Sequence, residues 1–176
     1  MDFMESLSNY VLENITTKDL PKIAEIALSE QIESESIYIL AGMNEGDHSF
    51  EIMYYFNSSL KELHLQLPEP AAAAQVLTKY YLNQIVQNPQ HAFAIMIKID
   101  NEIYKKINRD YSSGQYVGEA LKLEHLYTWY REIQDWRDEG RILYYNELPR
   151  EEQLEKFETH LVAAAKDALN EHYSGL

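Results

Sequence analysis

The 176-residue chain contains no cysteine. That excludes a disulfide framework, a thiolate zinc site, an iron–sulfur cluster and a cysteine nucleophile. No stretch approaches the roughly 20 apolar residues that a membrane span needs. The first residues, Met1-Asp2-Phe3-Met4-Glu5, lack the basic start and apolar run of a secretory leader. These absences point to the cytoplasm and away from a membrane. Glycine and proline are scarce, at six and five residues. The glycines are scattered, with no Gly-x-Gly, no Gly-Lys-Ser/Thr and no Gly-x-Ser-x-Gly, so neither a phosphate-cradling loop nor a serine elbow is present. Within the expected helices no histidine has a histidine or glutamate partner three or four residues away; Glu124-His125 and Glu171-His172 are adjacent pairs that point apart on a helix. No cofactor or metal is implied, and the reading leans away from an enzyme.

Positive charge is scarce as well. There are 15 lysines and arginines against 29 acids, a net charge of −14. The excess is uneven: residues 1–51 hold 11 acids and 2 bases, residues 52–131 hold 7 and 8, and residues 132–176 hold 11 and 5. Such a field repels phosphate backbones and anionic membranes and attracts basic proteins. Direct nucleic-acid binding is therefore not expected. The small basic run Lys98, Lys105, Lys106 and Arg109 falls at a helix C-terminus, where it complements the dipole. Glu151, Glu152, Glu155 and Glu158 lie opposite an apolar stripe and read as a solvated face.

Apolar residues make up 45% of the chain, enough for a buried core, and they recur with helical period. The spacing predicts one all-α domain over residues 1–176, a compact bundle of about eight helices whose first hairpins are solenoid-like. The helices are expected over 2–15, 18–31, 35–43, 50–64, 71–87, 89–108, 116–139 and 150–172. Thr16-Thr17, Ser34, Asp47 or Ser49, and Asn88 supply N-caps, Pro21 and Pro89 sit in first turns, and Gly140 suits the left-handed position past a helix end. Residues 110–114 read as a loop. Residues 141–145 are the one candidate strand, although a loop or helical turn fits a lone segment better.

Tyrosine is abundant, with 14 residues and the doublets Tyr54-Tyr55, Tyr80-Tyr81 and Tyr144-Tyr145. Neighbours on a helix point about 100° apart, so one ring of each pair should be at least partly exposed. Tyrosine is also enriched at protein interfaces.

The run Leu20-Pro-Lys-Ile-Ala-Glu-Ile-Ala-Leu-Ser29, followed by Ser34 and by Leu40-Ala-Gly42, resembles a group of small all-helical bacterial proteins of unknown function. The resemblance covers about residues 17–100 and continues through the Pro68–Pro70 break and Asn88-Pro89. It implies a bacterial source and an all-α fold, and assigns no residue a role.

Three function classes follow. The first is an acidic protein–protein interaction module that neutralises a basic partner in the manner of a toxin-immunity protein. Its contact residues would be Glu30, Glu33, Glu35, Glu45, Asp47 and Glu51, with Tyr54 or Tyr55 as anchor. The second is a small-molecule-binding or enzymatic bundle, which needs a polar pocket containing His91, His125 or an acid among the tyrosines of the seventh helix. The third is a helical regulator that pairs with itself as a homo-oligomer through a Tyr/Trp surface.

Overall fold

The computed structural model describes residues 1–107 and 120–174, and every regular element among them is helical. We number the helices α1 (Phe3–Val11), α2 (Leu20–Ser29), α3 (Glu35–Ala41), α4 (Ser49–Glu62), α5 (Pro70–Gln87), α6 (Ala92–Lys98), α7 (Glu124–Arg137) and α8 (Arg150–His172). Short 3-10 turns, Thr17–Asp19 and Pro89–His91, precede α2 and α6. Helix α6 runs on as a π-helical stretch, Ile99–Tyr104, and a last α turn, Lys105–Ile107. The fold class is the all-α one that the periodicity predicts. The expected loop at 110–114, the start of the seventh helix at 116, and Arg109 lie outside the described residues. No described helix is long and apolar enough to cross a membrane.

The chain divides into two compact units, Met1–Leu77 and Thr78–Leu176, and α5 crosses the boundary between them. Unit 1 is built on the apolar faces of α1 to α4. Phe3 and Leu7, Leu20 and Ile23, Ile37 and Leu40, and Ile52 and Phe56 form its buried cluster. Each of these side chains contributes about 1.5–3 kcal/mol by leaving water. Helix α2 packs on α3, and α3 on α4. The last two run antiparallel, because Glu62 at the end of α4 reaches Ser36 at the start of α3. Two buried serines of α1 satisfy themselves within the helix: Ser6 Oγ donates to the Asp2 carbonyl at 2.7 Å and Ser8 Oγ to that of Met4 at 2.8 Å.

In unit 2, α7 and α8 are a hairpin, and α6 packs on both. The intervening 138–149 segment contains no strand and is pinned by buried polar groups. The Glu132 carboxylate, 3% exposed, accepts the N–H groups of Leu143 and Tyr144 at 2.9 and 3.3 Å. Gln153 Nε2 donates to the carbonyls of Tyr145 and Leu148, each at 3.0 Å. Trp136 Nε1 donates to the Arg150 carbonyl at 2.9 Å, closing the hairpin where α8 begins. The π-helical stretch carries Asp100 and Glu102, which accept the phenol protons of Tyr127 and Tyr81. Burial, with the facing carboxylates, pushes both phenols well above their ordinary range.

The helix starts differ from expectation in instructive ways. Asp2 is not the first residue of α1 but its cap: its carboxylate accepts the Glu5 N–H at 2.8 Å while the Glu5 carboxylate accepts that of Asp2 at 2.7 Å. Such a reciprocal cap is worth about 0.5–2 kcal/mol. Ser34 caps α3, accepting the Ile37 N–H at 3.3 Å. Neither Asp47 nor Ser49 caps α4. His48 holds that position without a side-chain bond, and Asp47 instead accepts the Asn44 N–H at 2.7 Å, closing the preceding turn. Asn88 also caps nothing; its amide turns back towards Gln84. Helix α7 starts at Glu124, because Lys122 has φ of 55° and interrupts any helix entering from 116.

The helix stops depart in one direction. Helices α1, α2, α4 and α7 all end earlier than their apolar pattern suggests, each on a left-handed residue that is not glycine: Glu13, Gln31, His64 and Glu139. In each case the following N–H bonds a carbonyl five residues back, Asn14 to Asn9, Ile32 to Ala27, Leu65 to Leu60 and Gly140 to Asp135. This is the Schellman arrangement. Gly140 is therefore one residue beyond the left-handed position expected for it, which Glu139 occupies. Each such residue costs roughly 1–2 kcal/mol relative to a right-handed one. Replacing Gln31 or Glu139 by Gly should raise the urea midpoint, with a net gain of up to about 1 kcal/mol after the extra freedom of glycine in the unfolded chain is subtracted. A lowered midpoint would show that the wild-type side chain makes a stabilising contact there.

Tyr173 closes the far end of unit 2 by donating to the Leu121 carbonyl at 2.8 Å. Burial pushes its phenol up to about 12. An unfolded chain loses this proton near pH 10, so the contribution is intact below pH 10 and shrinks as pH rises to 12, by about 1.4 kcal/mol per pH unit. Tyr173→Phe should cost about 1–3 kcal/mol at neutral pH by leaving the Leu121 carbonyl unpaired, and should make the alkaline loss of stability shallower. Urea unfolding at pH 7, 10 and 11.5 measures both effects.

Candidate functional site

Counted by unit, most of the acid excess falls in unit 1. Residues 1–77 hold 13 acids and 3 bases, a net of −10, and residues 78–176 hold 16 acids and 12 bases, a net of −4. All eight predicted contact residues fall in unit 1. The fold does not gather them into one patch. Glu30 ends α2, Glu33 lies in the following loop and Glu35 opens α3. Glu45 and Asp47 lie in the α3–α4 loop, and Glu51, Tyr54 and Tyr55 are on α4. Because α3 and α4 are antiparallel, the first three acids sit at one end of the hairpin and the next three at the other, separated by about 10 Å of helix rise along α3.

Three of the acids have structural duties. The Glu30 carboxylate accepts the Phe3 N–H at 2.8 Å, and Asp47 closes its turn as described. Glu33 bonds the Tyr38 phenol and raises it above its ordinary range. Lys18, one of only three bases in unit 1, donates to the carbonyls of Glu45 and Asp47 at 2.8 and 2.6 Å, fixing the α3–α4 loop.

Tyr54 is 59% exposed, whereas Tyr55 packs against the core, with the two rings edge to face at 5.2 Å. Tyr54 is thus the ring available as an anchor. One turn before it stands Phe50, 81% exposed, the most exposed large apolar side chain of the described residues. Phe50 was not among the predicted residues. Its signal was nevertheless present: the inward stripe of α4 runs through Ile52, Phe56 and Leu60, and position 50 lies on the opposite face together with position 54. Glu51 lies between them and is exposed. The α3–α4 loop end therefore combines two exposed rings with Glu45, Asp47 and Glu51.

A second concave feature belongs to unit 2. A groove of about 270 Å³ opens between α7 and α8, with Leu126, Ala164 and Ala168 as its buried floor and Trp129 and His160 as one wall. The imidazole of His160 stacks on the Trp129 ring at 4.2 Å and 14°, and bonds the Tyr145 hydroxyl at 2.6 Å. His125 lines this groove, as a pocket in the seventh helix would require, while His91 is exposed in the 3-10 turn before α6. Among the described residues no cluster of three or more histidines and carboxylates is placed to hold a metal ion.

Glu62 sets the geometry of the α3–α4 hairpin. It accepts both the N–H and the hydroxyl of Ser36, at 3.0 and 2.6 Å, and these bonds hold its carboxyl below the ordinary carboxylate value. Its contribution is present above the ordinary value of 4.5 and is lost as pH falls through the depressed one. Glu62→Gln should be less stable than wild type at pH 7, with the two urea midpoints converging at pH 3. A difference that persists at pH 3 would mean that the carboxylate charge is not what matters.

Comparison of the chain with protein-family models, with curated protein sequences and with solved structures finds no match.

Proposed function

We propose that unit 1 is an acidic protein-interaction module that docks a basic protein partner at the α3–α4 loop end, neutralising it in the manner of a toxin-immunity protein. The observation that carries this reading is the pairing of Phe50 and Tyr54, 81% and 59% exposed and one helical turn apart, inside a unit of net charge −10. Exposed aromatic side chains supply most of the energy of a protein contact when they enter a partner's pocket, and surrounding charge speeds the encounter and rejects the wrong sign. Glu45 and Glu51 flank the rings and would meet lysines or arginines. Direct binding of nucleic acid is disfavoured by the same field, since phosphates would be repelled. Self-association through this face is disfavoured too, because each copy would bring the same negative charge.

Affinity capture from an extract of the native host, with wild type and a Phe50→Ala/Tyr54→Ala double variant compared by quantitative mass spectrometry, tests the reading. A basic protein should be enriched by wild type and lost from the variant, with a binding cost of at least about 2 kcal/mol once the partner is purified. Neither side chain is buried, so the variant should keep the wild-type unfolding midpoint. Glu45→Lys/Glu51→Lys should slow association and weaken its dependence on salt. Capture of no basic protein, or equal capture by both forms, would overturn the proposal.

A further inference from the structure

The groove of unit 2 has a division of charge that the interaction surface of unit 1 does not use. The α7–α8 hairpin is closed where Trp136 meets Arg150, so its open end sets the N-terminus of α7 beside the C-terminus of α8. Lys122 and His125 lie on the α7 side, and no side chain caps the first-turn N–H groups of that helix. Asp167 and Glu171 lie on the α8 side, one turn apart, where the helix dipole is also negative. Opposite charges thus line the two walls, yet neither Lys122 nor Asp167 belongs to an ion pair among the described residues. Glu171 has only the neighbouring His172 imidazole, at 3.6 Å. Between the walls the floor is apolar, with Leu126 1% exposed and Ala168 6% exposed.

A groove with a cationic wall, an anionic wall and an apolar floor is complementary to a molecule that carries both charges and an apolar side chain. We infer that it binds a free amino acid with an apolar side chain. The carboxylate would face Lys122, His125 and the start of α7, the ammonium would face Asp167 and Glu171, and the side chain would lie on Leu126 and the alanines against the Trp129 edge. The volume, about 270 Å³, lies just below the usual range of small-ligand sites, which suits a molecule as small as an amino acid. A plain anion would meet two carboxylates, and a plain cation would meet Lys122, so neither satisfies both walls.

The chain holds two tryptophans, which makes the test self-controlled. Trp129 lines the groove, whereas the Trp136 indole N–H is bonded to the Arg150 carbonyl and lies outside the lining. In nitrogen-15 spectra of the full chain titrated with L-leucine, L-methionine, L-valine or L-phenylalanine, at least one amino acid should move the Trp129 indole signal in a saturable way. Its dissociation constant should be about 1 mM or tighter. The Trp136 signal should stay in place. Isopentylamine and N-acetyl-L-leucine, which each keep one charge of leucine, should bind at least tenfold more weakly than leucine if leucine is the ligand; the corresponding amine and N-acetyl derivative serve for any other. Lys122→Gln and Asp167→Asn alter exposed residues and should each weaken binding about tenfold while leaving the helical circular dichroism unchanged. The inference is overturned if none of the four amino acids moves the Trp129 signal. It is equally overturned if the amine or the acyl derivative binds as well as the amino acid, or if both folded variants bind as wild type does.

Discussion

The fold depends on where its helices stop. Four of them end by turning one non-glycine residue into the left-handed region and closing a bond from the next N–H to a carbonyl five residues back. Backbone strain of roughly 1–2 kcal/mol at each stop is offset by carbonyls that would otherwise be unpaired and, at Gln31 and His64, by the apolar residue that follows. Ile32 and Leu65, each just past its stop, pack against the unit 1 cluster. After the stop at Gln31 the chain reaches Ser34, which caps α3, and Glu62 in the last turn of α4 bonds Ser36 at the start of α3.

Polar side chains inside unit 2 do similar work on a loop. Glu132 and Gln153 are almost fully buried, and their side chains bond the backbone of the 138–149 segment. A buried carboxylate without such partners would be costly, so the segment has little freedom to rearrange. It delivers Tyr145 to His160, and His160 to the face of Trp129. The groove wall is thus set by a loop whose own sequence, Arg141-Ile-Leu-Tyr-Tyr145, has no regular structure.

The two units differ in electrostatic character. Unit 1 is strongly acidic and spends much of its little positive charge on its own backbone, through Lys18. What remains outside is a negative surface with two rings on it, suited to a large, positively charged partner. Unit 2 is nearer neutral and sorts its charges onto opposing walls of a small concavity, suited to a small dipolar molecule. The same residue types yield a surface in one case and a groove in the other, because α4 leaves the face of Phe50 and Tyr54 exposed whereas α7 and α8 leave a concavity over Leu126 and Ala168.

Much of this architecture is legible in the amino-acid order. Periodicity finds the eight helices numbered among the described residues, and the bounds of α8 are read to the residue because Pro149 starts it and a run of alanines carries it. The doublet on α4 divides as adjacent helical positions must, with Tyr54 outward and Tyr55 inward. The face opposite Ile52, Phe56 and Leu60 already contains Phe50. The stops are less legible, since a left-handed glutamate or glutamine has no signature of its own and glycine is too scarce to mark them. Least legible are features made by distant residues. The stacking of Trp129 on His160, the bonds of Glu132 to the 143–144 backbone, and the placing of Lys122 and Asp167 on one groove join positions far apart in the chain. Local pattern determines which face of a helix is apolar, because that depends only on a turn of 3.6 residues. Which residues meet across helices depends on packing register and chain reversal, and those the tertiary structure alone decided.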